Sequence, residues 1–193
     1  MSVLESPARR KLLRGSIASY DTAPTAAPAR LPWVISEQTF IEGCTQCNRC
    51  IEQCETKVIK RDKAGFPFVD FSSDECTFCG QCEAVCEQSL FKPTSDRANK
   101  KPWSHQISIE TTCFTNKGVF CQSCQDVCDS RAITFSYSQA GVPKPSLDTD
   151  LCTQCGACVS TCPTSAIAFK QNAESLADNN SILNNQKQHP GKR

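Results

Sequence analysis

Sixteen cysteines in a chain of 193 residues constrain this protein more than any other feature, because they fall into four groups of four. The first group is Cys44, Cys47, Cys50 and Cys54, and the second is Cys76, Cys79, Cys82 and Cys86. The third, Cys113, Cys121, Cys124 and Cys128, is stretched between its first two members by the insertion from Phe114 to Phe120. The fourth is Cys152, Cys155, Cys158 and Cys162, followed by Pro163. The grouping is an internal repeat, and it begins only after 43 cysteine-free residues. A disulfide framework has no use for a third cysteine six residues after the first. Structural zinc favours two separated Cys-x2-Cys knuckles, whereas here a triple run carries an offset fourth cysteine. Three-iron clusters arise where a ligand is missing, and no position is missing from any group.

Three cysteines at i, i+3 and i+6 let a short loop wrap one iron–sulfur cube, and the fourth, expected at the start of a helix, points away. This spacing is similar to [4Fe–4S] ligation in bacterial two-cluster ferredoxins, where the fourth cysteine of each run serves the other cluster. That likeness implies four clusters in two reciprocal pairs. One would be held by Cys44, Cys47, Cys50 and Cys86, and a second by Cys76, Cys79, Cys82 and Cys54. A third would use Cys113, Cys121, Cys124 and Cys162, and a fourth Cys152, Cys155, Cys158 and Cys128. Cys113 would reach its cluster from a looped-out position.

The rest of the composition agrees with such a fold. Leu, Ile, Val and Phe together make up 38 residues, just under the one-fifth level below which chains rarely fold on apolar burial alone. Disorder of the whole chain is disfavoured by the balance of 21 Lys+Arg against 20 Asp+Glu. That balance, without a long basic block, also leaves no electrostatic footprint for nucleic acid, and no apolar run reaches the length of a membrane helix. No phosphate-binding glycine loop or recognisable carboxylate pair marks an enzyme's substrate pocket, so the chain reads as a non-enzyme. His105 and His189 are expected to be ordinary surface or loop histidines. Each oxidised cluster with four thiolates carries −2, so the loaded chain would be acidic, and the metal-free chain should unfold.

Between the groups the sequence predicts short hairpins, hence a small α+β fold of two tandem ferredoxin-like modules with flexible N- and C-terminal segments. Val58 to Lys60, a turn at Asp62 to Gly65, and Phe66 to Phe71 make the first hairpin. Ala132 to Phe135, a turn near Ala140 and Gly141, and Val142 to Leu147 make the second, with Pro143 and Pro145 suited to an edge. Ile107 and Ile109 alternate on a strand whose partner is Ala166 to Phe169. Ile59, Phe68, Ile133 and Ile167 would form a dry shell around the clusters. One-turn helices are expected around Glu83 to Val85 and at Asp126 and Val127. Gly80 and Gly156 suit close approach of the backbone to inorganic sulfide. The breaker-rich stretch from Ser89 to Trp103 is the module junction, with Lys100 and Lys101 on a solvated turn. The expected boundaries are a basic, Pro/Ala-rich segment at 1–43, modules at 44–98 and 99–170, and a flexible Asn/Gln-rich tail at 171–193.

Arg9, Arg10, Leu12 and Leu13 imitate a twin-arginine export signal, but Asp21 and Pro24 break the apolar stretch such a signal needs. The expected compartment is therefore the cytoplasm. The four groups, the Arg9-Arg10 start, Arg30-Leu31-Pro32-Trp33, Ser89-Leu90-Phe91, the run from Cys121 to Cys128 and Leu151 to Cys158 together carry a more specific likeness. From about Arg9 to about Phe169 the chain resembles the NapF family, ferredoxin-type accessory proteins of the bacterial periplasmic nitrate reductase system. The resemblance implies contact with the precursor form of the catalytic nitrate reductase subunit and help in its maturation before export. The residues alone also suit a one-electron polyferredoxin or electron-transfer subunit, or a binding module stapled by its clusters.

Overall fold

The computed structural model describes residues 28–98, 100–137 and 141–171. The element order confirms the repeat. Helices α1 (Glu37–Gly43) and α2 (Arg49–Gln53) precede a hairpin of β1 (Ile59–Arg61) and β2 (Pro67–Val69), and α3 (Gln81–Ala84) follows. A 3-10 turn at Thr94–Arg97 leads into the second half. There β3 (His105–Ile109), a 3-10 turn at Phe114–Lys117 and α4 (Ser123–Asp126) precede the hairpin of β4 (Ile133–Ser136) and β5 (Lys144–Leu147). The half ends with α5 (Ala157–Thr161) and β6 (Ile167–Gln171), and β6 returns to pair antiparallel with β3, Ile107 opposite Phe169. With only two strands per sheet, every strand is an edge, which is why Pro145 is tolerated opposite Phe135 in β5.

The first half closes in an equivalent way through a single antiparallel bridge between Val34 and Phe91. Flanking it, the Ile35 amide donates to the Leu90 carbonyl at 2.9 Å and the Lys92 amide to the Trp33 carbonyl at 2.7 Å. The N-terminal segment expected to be flexible is therefore corrected over residues 28–43. Leu31 and Phe40 are among the most deeply buried side chains, and Ser36 caps α1 by accepting the Thr39 amide. The part of that segment before residue 28, with Arg9 and Arg10, and the tail after residue 171, with His189, lie outside the described residues.

Two apolar cores result, each built around cysteines. One gathers Leu31, Phe40, Val58, Ile59, Phe71, Leu90 and Trp103 against Cys54 and Cys82; the other gathers Ile107, Ile133 and Ile167 against Cys158. Three of the four expected shell residues, Ile59, Ile133 and Ile167, are buried. Phe68 is only half-buried, and the first core is sealed instead by Phe71.

The halves meet over an aromatic cluster. The Phe71 ring meets Trp103 edge-on at 5.8 Å and Phe169 at 5.1 Å, and Trp103 meets Phe169 at 5.5 Å. The Trp103 indole donates to the Arg30 carbonyl at 2.7 Å. Arg30 is itself buried, its guanidinium on Glu37, Asp62 and the Pro67 carbonyl, between the Phe40 and Phe66 rings. His105 is a correction: it lies buried in β3, its ring stacked on Phe169 at 5.2 Å, because a residue on the inward face of an edge strand has only this apolar junction to occupy. Lys100 and Lys101 are exposed, as expected of a solvated stretch, but Lys101 also makes a contact. Its Nζ donates to the carbonyls of Asp150 at 2.7 Å and Cys152 at 2.8 Å, tying the junction to the fourth cysteine group.

Candidate metal centres

The third cysteine of each group lies inside a one-turn helix: Cys50 in α2, Cys82 in α3, Cys124 in α4 and Cys158 in α5. The fourth cysteine follows at the helix end, not at a helix start. Cys54 and Cys162 are the C-terminal caps of α2 and α5, and Cys86 and Cys128 come one residue past the caps of α3 and α4. In three of the groups this follows from backbone geometry just before the helix. Asn48, Gly80 and Gly156, each the N-cap, adopt left-handed conformations with φ of 68°, 76° and 91°, and so start the helix two residues before the third cysteine. Gln46, Phe78 and Gln154, one position before the second cysteine, are left-handed as well. Successive left-handed residues reverse the loop on itself. Asn48 is thus the counterpart of the two glycines in the first group.

The third group departs from the others. Its inserted residues form the 3-10 turn, closed by Gly118 at φ 78°, and Gln122 before the helix is not left-handed. The insertion nevertheless leaves Cys113 beside the other members of its set. Burial, reinforced by the nearby Cys113, Cys121 and Cys162 thiolates, pushes the Cys124 thiol up to about 11.

The other third cysteines show the same gathering. Burial and the Cys44, Cys47 and Cys86 thiolates raise Cys50 to about 11. Burial raises Cys76 to about 11, and Cys54 and Cys79 are among the thiolates that add to it. Cys82 rises to about 12 through burial and the charges of Cys76, Cys50 and Cys79. Cys158 rises to about 12 through burial and Cys155, Cys152, Cys124 and Cys128. Cys47 runs the other way: it is exposed, and the Arg49 amide and guanidinium lower its pKa.

None of the sixteen cysteines forms a disulfide. Among the described residues no three Cys, His, Asp or Glu groups close tightly enough to hold a single metal ion. A zinc site needs thiolates about 2.3 Å from one centre. Cys44, Cys47, Cys50 and Cys86 line one cavity and Cys54, Cys76, Cys79 and Cys82 another, and four sulfurs around such a gap fit a polynuclear cluster. Several sulfurs have hydroxyls within reach: Thr56 at 3.7 Å from Cys54, Thr115 at 3.3 Å from Cys113, Ser130 at 3.6 Å from Cys128 and Thr164 at 3.6 Å from Cys162. The Ala166 amide also donates to the Cys162 sulfur at 3.2 Å. Such donors stabilise charge on sulfur and are one lever on cluster potential. A Ser or Thr two residues after the fourth cysteine was readable in three groups; Gln88 replaces it in the second.

At the two glycines expected to allow close backbone approach, an added Cβ would meet Phe71 of the first half at Gly156 and open space at Gly80.

Tandem halves of this kind, with paired one-turn helices and cysteine loops, define an iron–sulfur protein of the 4Fe–4S dicluster type. The family model described as "4Fe-4S dicluster domain" matches residues 43–90, and a second model of the same description matches residues 118–166. The second match begins after Cys113, at the stretched group. Among curated proteins the chain is 41% identical over 138 residues to "Ferredoxin-type protein NapF" of Escherichia coli K12, covering 72% of this chain and 82% of that protein. It is 38% identical over 177 residues to the protein of the same name from Haemophilus influenzae, covering 88% of this chain and 98% of that one. A more distant likeness, 28% identity over 162 residues, joins it to "Methylamine utilization ferredoxin-type protein MauM" of Methylobacillus flagellatus, covering 77% of this chain and 69% of that protein. The chain belongs to the NapF family of ferredoxin-type proteins. No helix among the described residues is long and apolar enough to cross a membrane.

Proposed function

We propose that this protein carries four [4Fe–4S] clusters and assists maturation of the periplasmic nitrate reductase catalytic subunit, which it meets as a precursor in the cytoplasm. The observation that carries the cluster count is the gathering of four thiols in each set, with the fourth drawn from the paired group. Cys86 stands with the first group and Cys162 with the third, including the displaced Cys113. By this reading all sixteen cysteines are ligands, in modules at 44–98 and 99–170. Bound clusters would supply single-electron transfer at each set. The chain's own residues exclude water through Ile59, Phe71, Ile133 and Ile167, and stabilise sulfur charge through Thr56, Thr115, Ser130 and Thr164.

Iron and acid-labile sulfide in anaerobically purified protein test the count. About sixteen of each, four per cube, is expected; about twelve would leave the third set empty. Co-purification with precursor and mature catalytic subunit tests the partner. Retention of the precursor is expected, and failure with both forms would overturn it. A second reading, a one-electron carrier acting during turnover, is favoured by the close approach of cysteine loops across the junction. Clusters that cannot be reduced at any cellular potential would exclude it.

A further inference from the structure

The repeat fixes which sets are neighbours within a half but says nothing about neighbours between halves. Within each half the helices bearing the third cysteines pack together, α2 on α3 and α4 on α5. Cys50 and Cys82 thereby join the first set to the second, and Cys124 and Cys158 join the third to the fourth.

Across the junction the contacts are selective. The Cys76 amide donates to the Cys155 carbonyl at 2.8 Å. The Phe71 ring fills the space beside Gly156, and the Trp103 amide donates to Gln154 Oε1 at 3.4 Å. The Phe78 ring, between Cys76 and Cys79, lies 5.7 Å from that of Trp103. The first three of these reach the loop of the fourth group from the second group's side or from the junction, and the Phe78–Trp103 contact ties the second group's loop to the same junction. The hydrogen bonds of the third group's loop, among the described residues, run to Glu110, to Tyr137 and within itself.

We propose that Cys76 and Cys155 make the inner sets direct neighbours, so that the four sets follow one another as first, second, fourth, third rather than in sequence order. The inference rests on the ligand sets proposed above. The outer sets then lie at the two ends. At one end Cys47 is exposed; at the other, Val119 and Phe120 stand in solvent immediately before Cys121. Clusters held at adjacent sets would supply one-electron exchange, with no bond made or broken and no proton moved, once a one-electron donor such as dithionite supplies the electron.

Paramagnetic coupling in the dithionite-reduced holoprotein distinguishes the orders. In Cys155→Ala, which removes a ligand of the fourth set, the third set should give the unsplit signal of an isolated cluster. In Cys121→Ala, which disables the third set, every remaining signal should stay coupled. The reverse pattern, or the same pattern in both variants, overturns the order. Iron analysis reads the ligand assignment separately: each variant should lose one cluster's worth, about four irons, and full retention of iron would overturn the assignment on which the order rests. Hydrogen–deuterium exchange on the unaltered holoprotein needs no substitution. The Cys76 amide should exchange at least tenfold more slowly than the neighbouring exposed Thr77 amide, and equal rates would overturn the Cys76–Cys155 contact.

Discussion

A Cβ placed on Gly156 would lie 2.2 Å from Cδ1 of Phe71, so the loop of the fourth cysteine group leaves out a side chain where a ring of the other half stands. Gly80 occupies the equivalent position in the second group, with a similar positive φ and nothing within 4 Å. The pair separates two costs that usually arrive together.

Gly80→Ala should therefore show only the backbone cost of a left-handed alanine, about 1–2 kcal/mol. Gly156→Ala should add the cost of overpacking, about 1–3 kcal/mol more. The temperature of half cluster loss, followed anaerobically by visible absorbance, should fall further for Gly156→Ala. Equal falls would mean that Phe71 yields without cost.

Arg30→Met should loosen the N-terminal segment from the first half. It strands the Pro67 carbonyl and removes the partner of Glu37 and Asp62, and charged hydrogen bonds of this kind contribute about 1.5–3 kcal/mol each. Solvent reaching Glu37 reduces the total, so the expected loss is about 1–3 kcal/mol. Limited proteolysis should cut within 37–43 faster than in the unaltered protein. Arg30→Lys keeps the charge without the planar fork and should fall between the two.

Lys101→Met should make the lowest-energy change in shape and a measurable change in potential. Its ammonium lies on the Cys152 carbonyl and lowers the cost of charge on the Cys152 sulfur, although burial of that thiol has the larger, opposite effect. Removing a cation disfavours the extra negative charge of reduction. The fourth set should titrate more negative by about 20–40 mV, the equivalent of a solvent-screened interaction of 1 kcal/mol or less. An upward shift would contradict this.

Cluster loading should strengthen with pH. Burial leads the causes that push Cys50, Cys76 and Cys124 up to about 11 and Cys82 and Cys158 to about 12, so all five thiols hold protons at neutral pH and release them on ligation. The unloaded fold has the opposite dependence. Raised thiols stabilise it below their ordinary value near 9, and that stability is lost as pH rises towards 11–12. Anaerobic reconstitution yield should therefore climb between pH 7 and 9 and fall beyond it. A flat profile from 7 to 9 would contradict proton release from these cysteines on ligation.

The cysteine runs and both hairpins were legible in the sequence because each rests on local spacing or on alternation within a few residues; the strand at Ile107 and Ile109 was matched to Ala166–Phe169 as closure of the second module, without its register. What escaped it is long-range. Arg30 meets Asp62 and Trp103, and Phe71 meets Gly156, across separations that no periodicity encodes. The burial of His105 escaped because its partner, Phe169, is fixed only once β6 has returned to β3. That the first group's helix starts as the glycine groups' do required knowing that Asn48, as well as glycine, adopts the left-handed turn.

The return of β6 to β3 also sets a timetable for the nascent chain. The first half has its last cysteine at Cys86 and its closing bridge at Phe91, so it is complete while the second half is still being translated. The second half stays unzipped until Ile167–Gln171 has left the ribosome, and Cys162, which stands with the third group, emerges only just before. With the ligand sets proposed above, iron delivered during synthesis would meet a finished pair of sites first and an unfinished pair later, and the third set would wait longest between its first cysteine and its last.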